Sequence, residues 1–125
     1  MGKAKVFVTR IIPAAGLDLI RAACDARIWE GRFPPSRNTF LEQVRGVDGI
    51  LSLLNDRMDA AVMDAAGPGL KIISNYAVGF DNIDVPAATA RGILVGHTPG
   101  AVTEATADLA FALLMAAARR IVEGV

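Results

Sequence analysis

The sequence of 125 residues is poor in the residue types that hold metals, form disulfides or act as thiol nucleophiles. It contains one cysteine, Cys24, and one histidine, His97. A single cysteine cannot form an intrachain disulfide, which is typical of proteins from a reducing compartment. One histidine and one cysteine that lie far apart in the chain do not make a ligand cluster, so no metal site is predicted.

Excess charge and long apolar runs are missing as well. Thirteen Lys and Arg balance thirteen Asp and Glu, and neither sign collects in a block, so the basic surface of a nucleic-acid or membrane-surface binder is not expected. The longest apolar run, residues 109–118, is about half as long as a membrane span, and the run near the N-terminus is too short for a secretory signal. We therefore expect a cytoplasmic protein without nucleic-acid or membrane partners.

What the chain does contain is enough apolar sequence for a core, with 53% apolar and 21% charged residues. Five short apolar segments are spaced along it: "KVFVT" (5–9), "ARIWE" (26–30), "GILSLL" (49–54), "KIISNY" (71–76) and "GILVG" (92–96). Four of them are nearly continuous in Val, Ile and Leu, which is typical of strands buried on both faces. The second alternates and predicts an edge strand.

Helix signals lie between these segments. Four helices are predicted, and each begins at a proline or at a capping residue that is followed by an apolar helical pattern. A glycine ends three of these helices. In chain order these residues are Pro13, then Ser36 with Gly46, Asp59 with Gly67, and Asp84 with Gly92. Strand and helix alternate roughly every 20 to 25 residues, as in right-handed parallel sheets. The sequence therefore predicts an α/β fold, a flavodoxin-like doubly wound parallel sheet of five strands in the order 2-1-3-4-5.

The last segment, "GAVTEATADLAFALLMAAARRIVEGV", predicts one long helix over residues 102–123. Residues 109–118 are apolar on every side, which is the pattern of a helix buried on several sides. A small sheet covers only one side of such a helix. We therefore divide the chain into a domain of residues 1–100 and a helix of residues 101–125, which either packs against another chain or leads toward a further domain.

A doubly wound sheet binds its ligands beyond the carboxyl ends of the strands, near the switch in strand order. The loops predicted there are residues 9–13, 53–59 and 75–84, the last with the sequence "NYAVGFDNID". Val78 and Gly79 can turn successive backbone N–H groups outward to attract a carboxylate or phosphate. Gly79 can adopt a positive φ and leaves room for the anion. Alternatively, Gly79 only makes a turn and Asp84 only caps the next helix.

Other candidate residues carry weaker signals. His97 has no neighbouring carboxylate to orient it as an acid or base, so a structural or surface role is expected. Arg10 and Arg57 could steer an anion, but solvated side chains at loop tips are expected for both. The glycines of "GPGLKI" precede a strand, whereas those of a dinucleotide loop follow one. A phosphoacceptor domain would need acidic residues at the ends of the first and third strands. The chain has "TR" and "LN" there, so this class of protein is not expected.

The segments "NYAVGFDNID", "AATARGILVGHTPG" and "AVTEATADLAFALLMAAARR" resemble the D-isomer-specific 2-hydroxyacid dehydrogenases, most of all the glyoxylate/hydroxypyruvate reductase branch. The resemblance covers essentially the whole chain. It implies the substrate (lid) domain of an NAD(P)-dependent enzyme and the helix that crosses toward its Rossmann cofactor domain. The family's glycine-rich loop and its catalytic arginine, glutamate and histidine would lie beyond residue 125, so His97 is not the catalytic histidine.

The resemblance also implies roles for particular residues. The backbone amides of Val78 and Gly79 would hold the carboxylate of a small 2-oxo or 2-hydroxy acid, in a pocket also lined by Leu54 and Asn55. Thr106 would lie near the nicotinamide. No catalytic residue is carried over, so we expect the 125-residue chain alone to bind no NAD or NADP and to be inactive.

The apolar helix raises the question of partners. We expect it to join copies of the chain into a homo-oligomer through residues 105–121, because apolar surfaces of that size seldom remain solvated. A second hypothesis is a non-catalytic, truncated paralogue that uses the same helix to dock on a full-length dehydrogenase subunit.

Overall fold

The computed structural model describes residues 2–124 and shows the alternating strands and helices that the sequence predicts. The elements are β1 (Lys5–Val8), α1 (Ala14–Ala23), β2 (Asp25–Ile28), α2 (Arg37–Gln43), β3 (Gly49–Ser52), α3 (Ala60–Ala66), β4 (Ile72–Asn75), α4 (Val85–Ala90), β5 (Leu94–Gly96) and α5 (Thr103–Ala118). The outer limits predicted at Met1 and Val125 lie outside the described residues.

The five strands form one parallel sheet in the order β2-β1-β3-β4-β5, which confirms the predicted fold and the edge position of the second strand. The first four strands end one or two residues before the corresponding apolar segments do. Those last residues enter the loops beyond the carboxyl ends. Ser52 lies beside Asn75 in the register, so β3 and β4 end at the same level and place their loops side by side.

The core has two parts because successive strand residues face opposite sides of the sheet. Phe7, Ile50 and Ile73 pack with α2, α3 and α4 on one side. Val8 packs with Leu17 of α1 on the other side. The single helix α1 covers only part of its side: Ile72 of β4 and Leu94 of β5 share that side and stay exposed, while Ser74 of β4 is half-buried.

The helix ends follow the predicted capping pattern. The side chains of Ser36, Asp59 and Asp84 each accept a hydrogen bond from the backbone N–H three residues later, at 3.2, 3.2 and 3.0 Å. The three predicted stop residues all have a positive φ: Gly46, Gly67 and Gly92. Pro13 precedes α1 as its N-cap rather than forming its first residue.

The last helix is shorter than predicted and ends at Ala118 instead of residue 123. Arg120 adopts a left-handed φ of 50°, and the N–H groups of Arg120 and Ile121 donate to the carbonyls of Ala117 and Ala116. This is the hydrogen-bond pattern of a Schellman motif, which stops a helix. No residue of α5 is buried. Within residues 2–124, no helix is long and apolar enough to cross a bilayer.

Asp59 connects α2 to α3. Besides capping α3, its carboxylate forms ion pairs with Arg37 of α2 and with Nε of Arg57, the latter at 3.0 Å. Burial raises the pKa of Asp59, but the hydrogen bonds from Arg37 and from Val62 N–H, with the charges of both arginines, outweigh burial and leave that pKa below its usual value. The ionised form is therefore the one that the fold stabilises.

Replacing Asp59 by Ala should lower the free energy of unfolding by about 1–2 kcal/mol at pH 7, because the helix loses its cap and its ion pairs. A lowered folded-state pKa means that this stabilisation is present above the unfolded-state pKa and disappears as the pH falls through the folded-state pKa. Urea unfolding followed by circular dichroism at pH 7 and at about pH 3 should show the difference shrinking.

The matched control is Asp64→Ala in the same helix, where the side chain is 64% exposed. It should change the free energy of unfolding by less than about 0.5 kcal/mol at either pH. An equal loss for both variants, or a loss at Asp59 that does not depend on pH, would contradict the proposed role of the Asp59 charge.

Candidate active site

Two loops are joined to each other beyond the carboxyl ends of β3 and β4. Met58 donates its N–H to the carbonyl of Asn82 at 2.9 Å, and its own carbonyl accepts from the N–H of Asp84 at 2.9 Å. These bonds form a single parallel bridge between Met58 and Ile83. The loop of residues 53–59 and the loop of residues 76–84 therefore move as one unit at the edge where a doubly wound sheet binds ligands.

The backbone of the second loop is held by its carbonyl groups. The carbonyls of four consecutive residues, 77–80, each accept a hydrogen bond, two of them from the segment after β5. The donors are Thr98 N to Ala77 at 2.9 Å, His97 Nδ1 to Val78 at 2.7 Å, Asn75 Nδ2 to Gly79 at 2.9 Å and Ile83 N to Phe80 at 3.0 Å.

The N–H groups of the same four peptide units belong to residues 78–81, and none of them donates a hydrogen bond to any group within residues 2–124. In a planar trans peptide the N–H points away from the C=O. Because each carbonyl points toward its donor, the N–H of the same peptide unit points in the opposite direction, away from that donor. We call residues 78–81 the amide row. In proteins, anion-binding concavities are built from successive backbone N–H groups that have no acceptor within the chain.

The amide row borders a cleft of about 590 Å³. The lining residues come from the two loops and from the segment before α5: Leu54, Tyr76, Ala77, Val78, Gly79, Asp81, Thr98, Ala101 and Val102. Three of the four predicted substrate-binding residues, Leu54, Val78 and Gly79, therefore share one cleft. Asn55 does not: its side of the loop lines a separate cleft with Met58 and Asp59, because neighbouring residues of a loop face different directions.

Gly79 does not use the positive φ that a glycine can adopt, since the positive-φ glycines of residues 2–124 are at other positions. Its small size has a different use. A Cβ at Gly79 would lie 3.2 Å from Oδ1 of Asp81, tighter than an ordinary contact. Gly79 thus provides space beside the amide row. Its backbone conformation does not itself require a glycine.

Two asparagines that the sequence analysis did not single out hold the loops in place. The buried Asn75 donates to the carbonyl of Gly79 and to Oδ1 of Asn82, both at 2.9 Å, and accepts from Ser52 Oγ at 2.9 Å. Asn82 donates to the carbonyls of Leu53 at 3.1 Å and Asp56 at 2.9 Å. The sequence signal that could have identified Asn75 is its position as a polar residue at the end of an apolar strand. A buried amide needs hydrogen-bond partners, so such a residue is expected to bind neighbouring loops.

Asp56 is a second buried polar residue that the sequence analysis missed. Its carboxylate accepts hydrogen bonds from Thr9 Oγ1, from Leu53 N at 2.8 Å and from Arg10 at 3.3 Å. The prediction of a solvated Arg10 is therefore wrong: its side chain is only 16% exposed, because a buried carboxylate needs an opposite charge beside it. Arg57, with a side chain that is 82% exposed, matches its prediction.

The remaining predicted residues lie around the cleft. The exposed His97 bonds to the loop backbone, as its predicted structural role requires, and its ring meets the ring of Phe80 edge-on at 5.1 Å. Thr106 is exposed in the first turn of α5, one turn beyond Val102 and outside the cleft lining. Its place near a nicotinamide stays a prediction. Residues 2–124 contain no group of three His, Cys, Asp or Glu that could hold a metal ion.

Comparison with known proteins agrees with this geometry. The sequence model of the catalytic domain of D-isomer-specific 2-hydroxyacid dehydrogenases matches residues 6–124. The chain belongs to this family. The match confirms the resemblance predicted from the sequence, and the matched residues include both loops of the cleft.

Several known proteins resemble the chain in sequence or in structure. A glyoxylate reductase of Thermofilum pendens is 52% identical over 124 residues, which cover 98% of this chain and 36% of that protein. The TT0316 protein from Thermus thermophilus superposes with a TM-score of 0.86 at 48% identity, over 96% of this chain and 38% of that one. A glyoxylate reductase from Paecilomyes thermophila superposes with a TM-score of 0.76 at 29% identity, over 94% of this chain and 38% of that one. The chain thus spans little more than a third of each of these relatives.

Replacing Asp56 by Asn should lower the free energy of unfolding by about 2–4 kcal/mol, because Arg10 loses its counter-charge and the new amide N–H₂ group faces donors instead of acceptors. The control Asp18→Asn makes the same change in an exposed pair with Arg21 and should cost less than about 0.5 kcal/mol. Urea unfolding of both variants at pH 7 measures the difference. Equal stability of the two variants would show that the Asp56 network does not support the site.

Proposed function

We propose that this chain is the substrate-holding part of an NAD(P)-dependent D-2-hydroxyacid dehydrogenase of the glyoxylate/hydroxypyruvate reductase type. In this proposal it binds the carboxylate of a small 2-oxo or 2-hydroxy acid. The observation that carries the proposal is the amide row, with its carbonyls bonded elsewhere and its N–H groups free beside the cleft. The name of the similar Thermofilum pendens protein supports glyoxylate as the substrate to test first.

A carboxylate suits the amide row for electrostatic reasons. Hydrogen bonds from N–H groups to a charged oxygen are each worth about 1.5–3 kcal/mol, more than bonds between neutral groups. The carboxylate of Asp81 also lines the cleft and would repel a second anion. We place the substrate carboxylate at Val78 and Gly79, as the family resemblance implies. Oδ1 of Asp81 lies 3.2 Å from where a Cβ of Gly79 would be, so this side chain has to turn away when the acid binds. A small acid held by so few groups should bind with a Kd of about 1 mM, equivalent to about −4 kcal/mol.

The chain's contribution to the reaction is to hold and orient the substrate. Fixing the carboxylate fixes the neighbouring carbon of the 2-oxo or 2-hydroxy group, and such orientation can supply a large share of a rate enhancement. A nicotinamide, when bound, supplies or accepts the hydride. The 125 residues contain no G-x-G-x-x-G sequence, so no reaction step is assigned to this chain. A cytoplasmic location is part of the proposal and is supported by the single cysteine.

Glycolate, a small 2-hydroxy acid, should bind at the amide row of the 125-residue chain. Titration followed by ¹H–¹⁵N NMR should shift the amide signals of Val78 and Gly79 most, while the uncharged analogue glycolamide should shift them little. Saturation without any change at residues 78–81 would contradict the proposed site, even if glycolate binds elsewhere on the chain.

Two substitutions with opposite expected effects sharpen this test. Gly79→Ala fills the space beside the N–H groups and should weaken glycolate binding about tenfold, or about 1.4 kcal/mol. Asp81→Asn removes the repelling charge and should strengthen binding a few-fold. The control Gly69→Ala adds a Cβ whose nearest non-neighbouring atom is 4.0 Å away and should leave the affinity unchanged. Equal affinities for Gly79→Ala and Gly69→Ala would argue against the amide row.

The exposed helix α5 supports a second part of the proposal, a homo-oligomer formed through residues 105–121. Its large apolar side chains Leu109, Phe111, Leu113, Leu114 and Met115 are all exposed. Contiguous apolar surface of this kind marks an interface. Docking of the same face on a full-length dehydrogenase subunit is the alternative occupant.

The double substitution Phe111→Glu with Leu114→Glu should convert the associated chain to a monomer, because it places two charges on the apolar face. Sedimentation velocity at tens of micromolar measures the change. The control Leu19→Glu alters an equally exposed leucine on α1 and should leave association intact. A wild-type chain that sediments as a monomer would contradict the homo-oligomer.

A further inference from the structure

His97 reaches the amide row from a segment that is remote in sequence. It follows β5, and its ring nitrogen Nδ1 lies 2.7 Å from the carbonyl oxygen of Val78. A carbonyl oxygen can only accept a hydrogen bond, so Nδ1 is the nitrogen that carries the proton in this contact. The ring of Phe80 packs edge-on against the imidazole and limits its rotation. The next residue, Thr98, donates its backbone N–H to the carbonyl of Ala77.

Like each of its neighbours, the Val78–Gly79 peptide unit has one donor to its carbonyl, and here that donor is an exposed side chain. The Ala77 carbonyl is held by a backbone N–H, and the Gly79 carbonyl by the buried Asn75. Within residues 2–124 the carbonyl of Val78 accepts from His97 alone. A glycine on one side of a peptide unit makes its rotation easy, because glycine tolerates most backbone conformations. Without the imidazole, the N–H of Gly79 would lose its fixed direction.

We propose that His97 is a positioning residue for the substrate carboxylate. Its Nδ1–H holds the carbonyl of Val78 so that the N–H of Gly79 faces the cleft. This inference rests on the proposed function, because it assumes that the amide row binds the carboxylate. It assigns to the histidine no proton transfer and no contact with the substrate.

Two substitutions at His97 separate the hydrogen bond from the shape of the side chain. In His97→Asn, the amide Nδ2 takes the place of ring Nδ1 at the same number of bonds from Cα, and the donor is kept. In His97→Leu, a methyl group takes that place and the donor is lost. Because His97 is exposed, both variants should fold, which the dispersion of their ¹H–¹⁵N spectra and their urea unfolding curves would check.

Glycolate titration of the wild-type chain and the two variants tests the inference. We expect wild type and His97→Asn to bind with the same Kd within a factor of two, and His97→Leu to bind about fivefold more weakly, which converts to about 1 kcal/mol. In the ligand-free chain, ¹⁵N shifts of the wild-type imidazole should show the proton on Nδ1. The amide shifts of His97→Leu should differ from wild type mainly at residues 78–80.

Each other outcome contradicts a specific statement. Equal affinity of wild type and His97→Leu would overturn the positioning role and leave the carboxylate site intact. Equal weakening in both variants would show that ring packing matters and the Nδ1 hydrogen bond does not, which also overturns the inference. A wild-type chain with no response to glycolate at residues 78–81 would overturn the proposed function and, with it, the role of His97.

Discussion

The requirement that buried polar groups find hydrogen-bond partners shapes the whole carboxyl edge of this sheet. Asn75 ends β4 in the interior, where its amide can form bonds only with the chain itself. It bonds to Ser52 at the end of β3, to Asn82 across the loop and to the carbonyl of Gly79. Because an unpaired buried amide would cost free energy, these contacts lock the loop to the strands. Together with His97 and Thr98, which hold the carbonyls of Val78 and Ala77, this lock fixes the amide row.

The carboxylate site that we propose, made of backbone N–H groups, would have a particular advantage. The donors are fixed before the ligand arrives, so little free energy is spent on ordering them when it binds. They carry no full charge that would need a counter-ion when the cleft is empty. The buried ion pair of Asp56 and Arg10 lies behind the loop of residues 53–59 and supports its shape. The buried charges of Asp56 and Arg10 thus serve the scaffold, and the proposed site uses the neutral backbone.

The surface of the domain is incomplete on one side of the sheet. Helix α1 packs against β1 and β3, while Ile72 and Leu94 on the neighbouring strands remain exposed together with the whole of α5. The core on the opposite side, beneath α2, α3 and α4, is closed. The same chain therefore joins a well-packed half, which holds the loops of the cleft, to apolar surfaces of the kind that packs against other protein.

The sequence by itself determined the alternation of strands and helices and the helix caps, because apolar periodicity, capping residues and turn glycines act locally and were read correctly at Ser36, Asp59 and Asp84. The strand order was predicted from that alternation, and the family from the resemblance of whole segments. It also placed Val78 and Gly79 at the cleft. Only the tertiary structure decided which carbonyls are held and which N–H groups stay free. Those bonds come from Asn75, four residues before Gly79, and from His97 in a remote segment, and no local pattern records a contact between segments that folding alone brings together.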